Sequence, residues 1–261
     1  MKILVVGDVY GKVGRRTTKK YLPGIVSDTG ADFVIANGEN LAGGFGLTRD
    51  VVNDLVSCGV DAVTTGNHVW DKKEVLEFIG SDERILRPAN YPATAPGVGS
   101  RVFTAKSGQK VGVINLLGRV FMDAVDCPFQ RADEELEKIK EQTGIIIVDM
   151  HCEATSEKEA IGLYLDGRVS AVLGTHTHVQ TADEKILTRG TAYLTDLGMT
   201  GPTHSVIGVR PEIILKRFTQ KLPQRFEEAT GPGQFCAAIV EVNETTGRAA
   251  SIKRIYITDE E

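Results

Sequence analysis

Short apolar runs that end in glycine and polar turn residues recur along the first third of the chain. Lys2–Val6 (KILVV) runs into Gly7-Asp8 and reads as a buried strand whose carboxyl end presents Asp8. Arg15 to Leu22 reads as a helix closed by Pro23-Gly24. Asp32–Ala36 (DFVIA) is a second strand, ending in Asn37-Gly38-Glu39-Asn40. Gly43, Gly44 and Gly46 make a flexible loop, and Thr48 is a plausible N-cap for a helix to about Ser57. Asp61–Thr65 is a third strand, ending at Gly66-Asn67-His68. This βαβαβ rhythm predicts an α/β fold with a parallel sheet under covering helices. Ligands of such sheets sit beyond the carboxyl ends of the strands, where these polar turns fall.

The middle is less regular. Pro88, Pro92, Pro96 and several glycines predict a loop over residues 87–100. Arg101–Ala105 and Lys110–Leu116 flank Ser107-Gly108 as a hairpin, and Asp133–Glu141 is a charged helix. Gly144–Met150 is a buried strand running into His151, and Val169–Leu173 precedes Gly174-Thr175-His176-Thr177-His178. Thr191–Thr195 is a strand followed by the loop Asp196–Gly201. Phe235–Val242 and Ala250–Ile257 close the chain as a hairpin around Asn243–Gly247. No repeat or convincing linker divides residues 1–261, so they read as one domain.

Composition narrows the function classes. A net charge of −5 argues against bulk nucleic-acid binding. Cys58, Cys127, Cys152 and Cys236 form no CxxC pair, which disfavours a zinc ribbon or disulfide framework and fits a reducing cytoplasm. The first apolar run is too short for a signal segment or membrane span, so no membrane role is expected.

The candidate chemistry lies in five segments, GDVYG, NGEN, GNHVWD, DMHCEA and GTHTHV. They carry Asp8, Glu39, Asn40, Asn67, His151, His176 and His178. Oxygen and nitrogen donors from several strand ends suit a pair of divalent transition metals. Each has a plain structural explanation when taken alone: a solvated Asp8, a polar NGEN turn, a buried and satisfied His151, a chance HxH. His176 and His178 at i and i+2 point the same way on a strand, and their company favours ligation. Asn67 offers an amide oxygen, and His68 can face substrate, oriented by Trp70 or Asp71, with packing preferred for Trp70. Cys152 reads as inert and His204 as peripheral. Gly11 and Gly14 before Arg15-Arg16 resemble a weak phosphate-binding helix start. Without a GxxxxGK[ST] or GxSxG segment, NTPase and nucleophile-elbow chemistry are unsupported.

The ordered set GD…GEN…GNH…H…GTHTH resembles the calcineurin-like metallophosphoesterase superfamily over residues 1 to about 200. Tyr10 replaces the usual first-motif histidine, and Glu39 the usual second-motif aspartate. NGEN, GNHVWD and GTHTHVQTAD are similar to the YmdB branch, bacterial proteins associated with cyclic-nucleotide phosphodiesterase activity. The resemblance implies a four-layer αββα sandwich of two mixed sheets flanked by helices. It implies Asp8, Glu39, Asn40 and His178 around one metal and Glu39, Asn67, His151 and His176 around the other. Glu39 would bridge, and His68 would be the catalytic residue that is not a ligand.

Iron or manganese suits this mixed donor set, and zinc also fits. The expected reaction is hydrolysis of phosphodiesters, 2′,3′-cyclic nucleotides by the resemblance, through a hydroxide shared by both metals. The alternatives are a phosphomonoesterase or nucleotidase on the same site, or a metal-bound regulatory scaffold. The Gly43–Gly46 and Asp196–Gly201 loops are candidate walls for base and ribose. The closing hairpin is a candidate homo-oligomer interface, although core packing explains its apolar residues equally well.

Overall fold

A computed structural model describes residues 1–259. The chain opens with β1 (Lys2–Val6), β2 (Asp8–Val9), α1 (Gly11–Thr29), β3 (Phe33–Asn37), α2 (Arg49–Ser57) and β4 (Ala62–Thr64). Two 3-10 turns, Asn67–Trp70 and Lys73–Glu77, lead to β5 (Ser100–Thr104) and β6 (Lys110–Leu117). Next come α3 (Pro128–Ile139), β7 (Ile146–His151), α4 (Thr155–Leu165), β8 (Ala171–Thr175), β9 (Lys185–Ile186) and β10 (Ala192–Leu194). The chain then continues with β11 (Met199–Pro202), α5 (Pro211–Gln220), β12 (Gly233–Val242) and β13 (Ala249–Thr258).

One sheet runs β2-β11-β12-β1-β3-β4, with β13 also on β12; the other runs β5-β6-β7-β8-β10-β9. Both are mixed. β1, β3 and β4 are parallel, as are β6, β7, β8 and β10, while β12, β5 and β9 run against their neighbours. The continuous apolar runs follow from burial on both faces. In β1 and β3, Ile3, Val5, Phe33 and Ile35 face the second sheet, while Leu4, Val6, Val34 and Ala36 face the first two helices. Val111, Val113 and Ile147 fill the same space between the sheets, and Ile114, Leu116 and Val148 pack outward in the core with α3 and α4. The result is four layers, helix–sheet–sheet–helix. No helix among the described residues is long and apolar enough to cross a membrane.

Two expectations change. The first helix does not stop at Pro23-Gly24; it starts at Gly11 and runs to Thr29, where Gly30 takes the left-handed cap at φ 68°. A proline inside a helix costs about 3 kcal/mol. Burial of Leu22, with Ile25 and Val26 packed on the same core, offsets that, since each apolar side chain contributes roughly 1.5–3 kcal/mol when fully buried. The helix start is no phosphate cradle either. The Glu228 carboxylate accepts the Lys12 N–H at 3.0 Å, so the chain supplies its own anion there. α4 and α5 have no counterpart among the elements expected from the sequence.

Candidate metal centre

The carboxyl ends of β3, β4, β7 and β8 meet at one edge, joined by β2. Asp8 lies on β2 opposite Met199, Glu39 and Asn40 just beyond β3, and Asn67 and His68 beyond β4. His151 ends β7 opposite Thr175, and His176 and His178 follow β8. All eight candidates converge. Donor atoms of Glu39, His151 and His176 lie within 4.8 Å of one another, as do those of Asp8, Glu39 and His178, so Glu39 belongs to both groups.

His151 Nε2 lies 3.2 Å from Glu39 Oε2, 3.1 Å from Asn67 Oδ1 and 3.0 Å from His176 Nδ1. One ring nitrogen cannot serve three such neighbours with a single proton; a cation among them can. Asn40 Nδ2 is 3.0 Å from Glu39 Oε1 and 3.2 Å from His178 Nε2, which joins it to the other group. Asp8 Oδ1 and Asn40 Oδ1 are buried without a hydrogen-bond partner among the described residues, a costly arrangement unless something positive satisfies them.

Each histidine is held from outside in the tautomer that a metal needs. Thr175 Oγ1 donates to Asp149 at 2.6 Å, so in its 2.9 Å contact with His151 it accepts from the Nδ1–H. His178 Nδ1 donates to the Ile207 carbonyl at 2.8 Å. His176 Nε2 lies 3.3 Å from the Glu153 carboxylate. The lone pairs of His151 Nε2, His178 Nε2 and His176 Nδ1 are left for the centre. The residues fit a pair of cations.

The charges agree. Burial pushes the Asp8 carboxyl up to about 6 despite His178 and His151. Burial also opposes charge on Glu39, but His151, His68 and His176 hold it well below the usual carboxylate range. Burial disfavours the His151 imidazolium, yet Glu39, Asp8 and Asp149 outweigh that and push it up to about 9. Without a metal, a proton takes the place of the positive charge. Burial and the neighbouring His151 push His176 down to about 3, keeping it neutral.

His68 stands apart. Its Nδ1 is 2.8 Å from Asp71 Oδ2, while Trp70 packs edge-on against Tyr91. His68 lines a cavity of about 310 Å³ together with Glu39, Asn40, His176 and His178. A larger groove of about 480 Å³ lies beside it past Ile207, but of the eight candidates only His178 reaches it.

The chain matches the family model described as YmdB-like protein over residues 4–255. It is 46% identical over 260 residues to the Bacillus subtilis 2′,3′-cyclic-nucleotide 2′-phosphodiesterase, covering 100% of this chain and 98% of that one. The chain belongs to the YmdB-like family. That family lies within the metallophosphoesterase superfamily, which implies divalent metals. Two crystal structures share the architecture. A hypothetical protein from Thermus thermophilus aligns with TM-score 0.94 at 43% identity over 100% of both chains. A phosphatase from Mycoplasma pneumoniae aligns with TM-score 0.93 at 36% identity, over 99% of this chain and 93% of that one.

In this YmdB-like chain Tyr10, at the position of the missing first-motif histidine, packs edge-on to the His178 ring at 5.6 Å. Burial pushes its phenol up to about 12. Cys152 is buried, donates to Glu157 at 3.1 Å and belongs to neither donor group. His204 is exposed and outside the site. The Gly43–Gly46 loop does line the cavity, through Gly44 and Phe45. The Asp196–Gly201 segment does not. Asp196 is buried against Lys158, and Met199–Pro202 is strand. Asp196 Oδ2 accepts the Thr177 N–H at 3.1 Å and its hydroxyl at 2.8 Å. It thereby braces a loop in which His176 (φ 97°) and His178 (φ 67°) both take strained positive φ. Asp196, Lys158, Asp149 and Glu153 are the supporting residues that sequence motifs missed.

Proposed function

We propose that this chain is a metal-dependent phosphodiesterase that opens 2′,3′-cyclic nucleotides. The observation that carries it is the pair of donor groups sharing Glu39 beside a cavity that His68 also lines. Asp8, Glu39, Asn40 and His178 would hold one ion, and Glu39, Asn67, His151 and His176 the other. An all-oxygen-and-nitrogen donor set suits iron or manganese, with zinc also compatible. When bound, two such ions supply Lewis acidity toward a phosphoryl oxygen and lower the pKa of water toward neutrality.

The protein's own contribution is positioning and proton transfer. Thr175, Ile207 and Glu153 fix three imidazoles, so the donors are pre-set and little reorganisation accompanies reaction. Water adds to phosphorus as the bond to a ribose oxygen breaks. His68 donates the proton that oxygen needs, and its ring is held by Asp71. The similarity to the Bacillus enzyme supports a cyclic nucleotide as the diester.

Comparing turnover of 2′,3′-cyclic AMP with that of 3′-AMP tests this function against a monoesterase. A diester preference of at least ten-fold is expected. Preference for 3′-AMP would overturn the proposal in favour of a phosphatase.

A further inference from the structure

Two phenyl rings distant in sequence meet at the mouth of the cavity. Phe45 stands in the glycine loop after β3, and Phe226 in the segment between α5 and β12. Their rings are nearly parallel, 17° between planes, with centroids 6.5 Å apart. Both are only half-buried, and both line the same cavity as Glu39, His68 and His176. Phe45 also meets the His68 ring edge-on at 5.2 Å. Phe226 is anchored from its own side: it packs against the small core cluster of Tyr10, Met199, Val209 and Ile214, and the Arg217 guanidinium lies 4.8 Å over its ring.

Coordinating metal and phosphate needs only polar groups, so half-exposed phenyl rings at this mouth require another reason. The proton from His68 goes to a ribose oxygen, and the base is attached to that ribose. It therefore lies about one sugar away from His68, on whose flank Phe45 sits. A cavity of about 310 Å³ is at the small end of ligand sites, which run roughly 300–1,000 Å³, and suits one nucleotide. We infer that Phe45 and Phe226 form a nucleobase subsite that stacks the base of the cyclic nucleotide, an inference that presupposes the phosphodiesterase function proposed here. Phenyl rings offer no hydrogen bonds, so such a subsite accepts every base and favours purines by area.

The test compares kcat/KM for 2′,3′-cyclic AMP with that for ethylene phosphate, a five-membered cyclic diester without a base. The ratio is expected to fall roughly ten- to hundred-fold in Phe226→Ala and in Phe45→Ala, mainly through KM, and to recover in Phe226→Trp. An unaltered ratio in both alanine variants would overturn the subsite. If the wild type opens neither diester, the phosphodiesterase proposal fails separately, and the subsite is read from binding to the metal-loaded protein. Tighter binding of 3′-AMP than of inorganic phosphate, lost in Phe226→Ala, supports it; equal binding of the two by wild type overturns it.

Discussion

Lys158 Nζ lies 2.6 Å from Asp196 Oδ2, and both side chains are 1% exposed. The pair sits directly behind Thr177, so the loop that carries two candidate ligands rests on a buried charge. Removing one partner of a buried pair costs about 3–5 kcal/mol because the other is left uncompensated. Asp196→Ala strands Lys158 and also frees the Thr177 and Gly198 N–H groups. Lys158→Met leaves Asp196 with those donors. Both variants are expected to unfold at lower urea concentration, Asp196→Ala more so, and only Asp196→Ala to lose most of its metal. Equal metal content in the two would show that Thr177 does not depend on Asp196.

Glu153 acts through His176. Loss of an outer partner of a metal-bound histidine lowers affinity roughly 10–100-fold. Glu153 is half exposed, so Glu153→Ala is expected at the low end of that range. Glu153→Gln keeps an acceptor and is expected to recover part of the loss in a buffered metal titration. Wild-type affinity in both variants would remove Glu153 from the site.

His68 is expected to matter for turnover and not for metal. His68→Ala should lower kcat by 10²–10⁴-fold, the usual worth of general acid catalysis, with metal content intact. Asp71→Asn should give a smaller loss, since the imidazole keeps a neutral partner. Full kcat in His68→Ala would end its assignment as the acid.

Metal binding should release protons. The folded, metal-free chain holds the His151 imidazolium up to about 9, so at pH 7 its Nε2 carries a proton that a cation must displace. Apparent metal affinity therefore falls as pH falls below about 9, and falls more steeply below about 6, where burial also keeps Asp8 protonated. Calorimetry at pH 7 in two buffers of different protonation enthalpy is expected to report about one proton released per chain loaded. Identical heats in the two buffers would mean that no protonated group gives way.

Much of this fold and site was legible because the same residues do two jobs. The apolar stretches ILVV and IIIV are continuous because two layers cover them, and a polar residue just beyond each run, Asp8 or His151, reaches the shared edge. What stayed hidden depends on contacts between distant segments. Pro23 reads as a stop until Leu22 and Val26 are seen on the sheet core. Asp196 reads as a loop wall until Lys158 and Thr177 surround it. Phe226, in a polar and proline-containing stretch, has no local pattern that points to Phe45. Glu228 caps α1 from the far end of the chain, which no helix-start motif encodes.

Hydrolysis of 2′,3′-cyclic AMP by the purified chain, measured with Mn²⁺, after chelation, and in Glu39→Gln, tests the central claim most directly. Glu39 belongs to both donor groups, so the account expects turnover with Mn²⁺, loss on chelation with recovery on adding metal back, and almost none in Glu39→Gln. Turnover that survives chelation, or a Glu39→Gln variant as active as wild type, would contradict a metal centre built around Glu39.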